Sequence, residues 1–306
     1  MPALVDQGEE WASWLRSWER SLRARSLSPK TVQLYLAAGR ELVSYLDERG
    51  GPERPAQLTR ADVEGLLVTL ADRGRTPSGV AMLYRSLQQL MRFLGEEGEL
   101  PTSPMQHMRP PVVPEPSTRV LTDDELRALL ATCAGRDFVD LRDTALLRLF
   151  IATGGRRAEI VKLHVTDVDL VTDTVRLLGK GRRERTVSLS PKTAQALERY
   201  LRARRRDRWA DREELWLAER GRGPLGYSGV AQMLTRRGRL AGLGDLHPHM
   251  FRHAAAHDWL AAGGSESDLM KNMGWRSPQM LRRYGASLAE ERAREAARPL
   301  NRGDRV

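Results

Sequence analysis

The sequence predicts a mainly α chain with a small β-meander, arranged as an N-terminal four-helix domain followed by a larger α+β domain. Three observations predict it. Apolar residues recur at helical spacing through the first hundred positions, residues 101–118 break that pattern with six of the sixteen prolines, and over 174–189 the period shortens to two before helical spacing returns. At 306 residues the chain is about twice the size at which one core usually stops growing. The expected division is residues 1–100, a proline-rich linker over 101–118, and a second domain over 119–306.

Each element has its own signal. Trp11, Trp14, Leu15, Trp18 and Leu22 share one face of a first helix, and Ser28 before Pro29 caps a second that runs through Leu46. Thr59 opens a third helix ending near Gly74. Val80, Leu83, Tyr84, Leu87, Leu90, Met91 and Leu94 stripe a fourth, closed by Gly95. These stripes are read as core, which assigns the tryptophans to packing. Thr122 to Glu125 forms a capping box ahead of Leu126, Leu129 and Leu130, and helices are expected over about 140–152 and 157–163. Thr174–Leu178 and Arg185–Leu189 flank Gly179-Lys180-Gly181 as a β-hairpin or meander. Further helices start at Ser190-Pro191, Ser265 and Ser277-Pro278, with an amphipathic one over about 288–297.

The charge balance narrows the function. With 50 basic and 40 acidic residues the formal charge is +10, and the excess is uneven: residues 1–100 hold 13 basic and 14 acidic side chains, which leaves 37 and 26 for the rest. Such a domain attracts polyanions, nucleic acid or acidic lipid, and the small number of lysines, five, makes guanidinium the main phosphate-directed group. The run of seven arginines between Arg199 and Arg212 reads first as a solvated helix face, with tracking of a DNA backbone as the alternative in a basic domain. No stretch approaches the roughly 18 apolar residues of a spanning helix, since Arg148 breaks the best run. No membrane partner is expected. Residues 1–10 carry acids and no base, which is the wrong charge for a signal segment, so a cytoplasmic location is expected. Cys133 stands alone, and one cysteine supports neither an internal disulfide nor a thiolate metal cluster.

Four clusters have the residue types for chemistry. Ala152 to Ile160 ends one helix in glycines and sets Arg156 at the start of the next, with Glu159 one turn on. Gly179-Lys180-Gly181 exposes a lysine at a hairpin tip. His247 to His253, with His257 beyond, places histidines every four residues on a helix, but no acid lies between them as in a zinc-protease motif, and Arg252 sets a positive charge beside any metal. His249 with Arg252 reads better as an acid/base group beside an anion clamp. Met273 to Gly285 places Trp275 and Tyr284 near Arg282 and Arg283.

In this order the clusters resemble the tyrosine recombinase, or phage integrase, family of Xer-like and mobile-element enzymes. The first signature stands as Thr153-Gly154-Gly155-Arg156-Arg157-Ala158-Glu159-Ile160, the hairpin signature as Gly179-Lys180-Gly181 with Arg185 and Val187 after it, the third as His249-Met250-Phe251-Arg252-His253, and the last as Gly274-Trp275 with Tyr284. The resemblance implies a SAM-like core-binding domain over 1–100 and a catalytic domain over 119–306. It implies Tyr284 as nucleophile, Arg156 and Arg252 as phosphate clamp, Lys180 and His249 as proton-transfer groups, Trp275 as a hydrogen-bond donor, and Glu159 and His253 as supporting residues. No cofactor and no metal are implied. The implied partners are double-stranded DNA with an inverted-repeat core site and further recombinase subunits, as a homotetramer or a heterotetramer. Strand exchange through a 3′-phosphotyrosyl link and a Holliday junction is the implied reaction, near the nucleoid.

Three departures stand out. Arg157 and Ala158 replace the usual apolar and small polar residues, Trp275 occupies a position that is histidine in most members, and an extra N-terminal arm-binding module is not expected. Alternatives open at this point are a DNA-binding regulator without catalysis, a type IB topoisomerase-like enzyme, and a metal-dependent phosphodiesterase built on the histidines.

Overall fold

The computed structural model describes residues 7–114, 119–179, 183–219, 222–275 and 277–281. Two compact units, Met1–Pro116 and Ser117–Val306, each enclose an apolar core.

The first unit holds α1 (Gln7–Ala24), α2 (Pro29–Glu48), α3 (Arg60–Asp72) and α4 (Pro77–Glu96). Three of them start where a short polar side chain accepts an otherwise unused backbone N–H: Ser28 from Thr31, Thr76 from Gly79, and Thr59 from Asp62 in a reciprocal box. Trp11 and Trp18 are core residues, and the Trp18 ring stacks on Tyr35 at 6.0 Å. A Cβ at Gly39 would lie 2.6 Å from Leu15 Cδ2, so glycine is what lets α2 approach α1. The fourth helix passes its expected stop. Gly95 stays helical, and the chain reverses at Gly98, φ +82°, where Glu99 N–H closes onto the Leu94 carbonyl. Part of the expected linker is tied to this unit. Met105 is buried in the core, and Tyr84 Oη donates to the Met108 carbonyl at 2.7 Å.

The second unit holds α5 (Asp123–Ala131), α6 (Phe138–Thr153), α7 (Arg157–Val161), β1 (Val168–Asp169), β2 (Thr174–Leu178), β3 (Glu184–Ser188), α8 (Pro191–Arg204), α9 (Tyr227–Leu240), α10 (Pro248–Ala261) and α11 (Glu266–Met273). The strands form an antiparallel sheet in the order β1-β2-β3, with Val175, Leu177 and Val187 turned into the core. Two elements had no clear sequence signal. At two residues β1 is too short for a period, and α9 follows Gly226, which offers no capping side chain. The helix expected to reach residue 163 ends at Val161, since His164 opens a separate 3-10 turn closed by Asp167.

Helix α6 is the centre of this unit, with Ala145, Leu146, Leu147, Leu149 and Phe150 all buried. Phe150 stacks on Phe251 at 5.7 Å, which seats α10 against it. A separate small cluster of Ala256, Leu260, Leu269, Met273, Trp275 and Leu281 joins α10 to α11. The arginine run is not the uniformly solvated face that its charge predicts: Arg204 is buried and donates to the carbonyls of Ala210, Arg212, Glu214 and Leu215. Among the described residues no helix is long and apolar enough to cross a membrane. The helix expected over 288–297 lies outside the described residues.

Candidate active site

The site is built where two chain reversals meet strand β3. Helix α6 ends at Thr153, whose hydroxyl donates back to the Leu149 carbonyl and accepts Gly155 N–H, and Gly154 turns the chain in the left-handed conformation. That turn sets Arg156 as the N-cap of α7. Glu159 answers from inside the helix: its Oε2 accepts the Arg156 backbone N–H at 2.9 Å and its Oε1 accepts Arg156 Nη1 at 2.8 Å. The Arg156 side chain remains 34% exposed while Glu159 is 3% exposed, so the carboxylate anchors the arginine from below.

A second arginine shares that carboxylate. Arg185 on β3 donates through Nη2 to Glu159 Oε2 at 2.7 Å and through Nε to the Asn272 carbonyl at 2.8 Å. Burial of Glu159 favours the neutral acid, but the Arg185 hydrogen bond and charge, together with the Arg156 bonds, hold the carboxyl below its ordinary range. Glu159 is therefore an anion that orients two cations.

The second reversal is the end of α11. Gly274 is left-handed, and Trp275 N–H closes onto the Met270 carbonyl at 2.8 Å. Arg252, 1% exposed on α10, donates to Gly154 O at 2.9 Å and to Met273 O at 2.5 Å, and its guanidinium lies 5.3 Å over the Trp275 ring. It binds the ends of α6 and α11 together. His249 lies in the first turn of the same helix, one turn before Arg252, with His253 half-buried after it.

A cavity of about 570 Å³ opens between these elements, lined by Arg156, Gly179, Arg183, Arg185, Gly274 and Trp275 among others. The structure thus brings Arg156, Glu159, Arg252 and Trp275 into one connected corner. Lys180 and Tyr284 lie outside the described residues, although Gly179 lines the cavity and its N–H closes the hairpin stem onto the Arg183 carbonyl at 2.7 Å. Arg157 is engaged by stacking, 4.0 Å over the Tyr227 ring at the start of α9. Among the described residues no three His, Cys, Asp or Glu side chains group as a metal site requires.

Sequence reasoning places Arg185 only in the strand after the hairpin and gives it no role in the site. A signal is present. Strand alternation puts Arg185 on the same face as Val187, which is buried, and a charge on an inward face needs a buried counter-charge.

Comparison with known proteins agrees with this architecture. Residues 119–291 match the phage integrase family. Tyrosine recombinase XerC of Chlorobaculum parvum is 29% identical over 292 residues, covering 85% of this chain and 86% of the relative. Tyrosine recombinase XerC of Shewanella amazonensis is 31% identical over 255 residues, covering 83% and 84%. Among solved structures, the XerH site-specific recombinase bound to its palindromic difH substrate after cleavage superposes with a TM-score of 0.72 at 18% identity, covering 90% of this chain and 81% of that one. With both the family match and XerC similarity along most of its length, the chain belongs to the phage integrase family and is a site-specific tyrosine recombinase.

Proposed function

We propose that this recombinase cleaves DNA by attack of Tyr284 Oη on a scissile phosphate held by Arg156 and Arg252. A bond forms between Oη and phosphorus, the bond to O5′ breaks, and the products are a 3′-phosphotyrosyl link and a 5′-hydroxyl. Lys180 supplies the proton to O5′, and His249 receives the tyrosine proton. The guanidinium groups and the Trp275 indole N–H offset the charge that builds on the non-bridging oxygens, an effect of about 10²–10³ in rate per donor. Glu159 orients Arg156, and His253 supports the helix that bears Arg252. Because one phosphodiester replaces another, a 5′-hydroxyl from a second duplex reseals the strand without ATP.

The observation that carries this reading is the single corner in which Arg156, Arg252 and Trp275 meet, with Gly179 on the rim of the same cavity. Exchange between two duplexes needs four such sites, so the working form is a tetramer, of this chain alone or with a related recombinase, on an inverted-repeat core site. Residues 1–100 serve as the core-binding domain and 119–306 as the catalytic domain, with the linker between. The enzyme works on DNA in the cytoplasm, at the nucleoid. Similarity to XerC proteins along most of the chain favours a Xer-type resolvase over a mobile-element integrase.

A pool of genomic DNA fragments serves as the test substrate, so the target sequence is an output of the experiment. Wild type and Tyr284→Phe are incubated in EDTA with randomly nicked genomic fragments, and denaturant-resistant protein–DNA adducts are captured and sequenced. A nick near the cleavage point lets the short strand leave and traps the covalent product. Adducts that converge on one inverted repeat for wild type and vanish with Tyr284→Phe support the reading. DNA binding without adducts overturns it.

A further inference from the structure

We infer that Arg185 is a positioning residue for the transesterification, acting through Glu159 on the phosphate clamp. The inference rests on the reading of Arg156 as a clamp arginine. Its basis is a chain of contacts among described residues. The Glu159 carboxylate has two oxygens and three donors: Arg156 Nη1 on one oxygen, and Arg156 N–H and Arg185 Nη2 on the other. The carboxylate is buried, so its orientation is set by these donors and not by water.

Arg185 fixes the carboxylate from outside the α7 turn. Its Nε is anchored on Asn272 O, the residue before the Met273 carbonyl that Arg252 holds. Two arginines from different elements thus grip consecutive carbonyls at the end of α11, and one of them reaches on to Glu159. Arg185 also sits on β3 opposite Leu177, two residues beyond the pair that closes the hairpin stem. One side chain therefore ties the first clamp arginine, the hairpin and the end of α11 into a single frame.

The electrostatic consequence is as direct as the geometric one. Arg156, Arg185 and Arg252 with Glu159 leave a net charge of two positives to meet a phosphate. Without Arg185, Glu159 pairs with Arg156 alone and the corner keeps one. The Arg156 side chain then follows its carboxylate instead of the phosphate. Lysine retains the charge but lacks the fork that spans Glu159 and Asn272 together.

The test uses the full chain and a nicked duplex of the sequence recovered by adduct capture, made with either an ordinary scissile phosphate or an uncharged methylphosphonate. Single-turnover cleavage is measured for wild type, Arg185→Met, Arg185→Lys, Glu159→Gln and the Met/Gln double variant, with DNA affinity and thermal melting alongside. A neutral phosphonate asks less of the clamp, so a clamp defect shrinks on it whereas a general loss of structure does not. Arg185→Met is expected to cleave the phosphate about 30-fold or more slowly with DNA affinity within about twofold, to recover about tenfold of that deficit on the methylphosphonate, and to lose little more when Glu159→Gln is added. Arg185→Lys is expected to fall between wild type and the Met variant, and it replaces the Met variant if that one does not melt cooperatively. Equal deficits on the two substrates, additive losses with Glu159→Gln, or cleavage within about threefold of wild type would each overturn the inference. Failure of wild type to cleave the ordinary phosphate counts instead against the recombinase chemistry itself.

Discussion

A Cβ on Gly154 would lie 3.0 Å from Met273 Sδ and 2.9 Å from its Cε, so the bare backbone at the end of α6 packs directly against the Met273 side chain at the end of α11. Gly154 also holds φ +53°. Gly154→Ala therefore meets left-handed strain, which a backbone shift relieves at an expected cost of about 1–2 kcal/mol, while the flexible end of Met273 gives way. The same shift moves the Gly154 carbonyl off Arg252. Calorimetry should show a lower Tm, and adduct formation at a temperature where the variant is folded should fall about tenfold or more. Melting and activity equal to wild type would show that the two helix ends need not touch.

Arg252→Lys separates charge from shape. A lysine has one nitrogen for the two carbonyls that Arg252 joins, and it presents no planar face to Trp275. A loss of about 2 kcal/mol in urea unfolding is expected, together with about 10²-fold lower adduct yield. A variant that keeps both would place the phosphate elsewhere.

Glu159 gives the corner a pH dependence of known sign. Its folded-state value lies below its ordinary value of 4.5, so its stabilising contribution is complete above about pH 4.5 and is lost as pH falls through the folded value. At neutral pH Glu159→Gln is expected to cost about 3 kcal/mol, because two guanidinium groups lose their shared anion. The difference between wild type and variant should narrow steadily below pH 4.5. Parallel stability curves down to about pH 3 would contradict the assignment.

The arginine run supplies an internal control. Arg204 is buried under four carbonyls while Arg206 is exposed. Arg204→Ala is expected to cost about 3 kcal/mol or more, and Arg206→Ala to stay within about 0.5 kcal/mol. Denaturant titration of the two variants decides it.

Much of this organisation is legible in the sequence, for identifiable reasons. Helices with side-chain caps, such as those after Ser28, Thr59 and Thr122, announce their starts, and α9 behind Gly226 does not. Gly95 has the look of a stop, yet the left-handed turn falls at Gly98, because a glycine only permits a reversal and does not compel one. The ordered motif residues Arg156, Glu159, Arg252 and Trp275 are readable as a set. What composition hides is which arginine is structural. Arg204 differs from its exposed neighbours only in where the fold sends it, and Arg185, although strand alternation turns it inward, has a long-range partner in Asn272 that carries no local signature.

Arg252 holds the ends of two helices as well as its place beside Trp275, and this dual duty limits how the lineage can drift. A descendant that gave up strand cleavage while keeping its DNA-bound shape would have to retain Arg252 for the sake of its fold. Decay would begin instead at the more open positions, such as the partly exposed Arg156 or the exposed His249 on the first turn of α10. An arginine at 252 in a distant relative is therefore weak testimony to activity, and residues that the architecture does not need are the better witnesses.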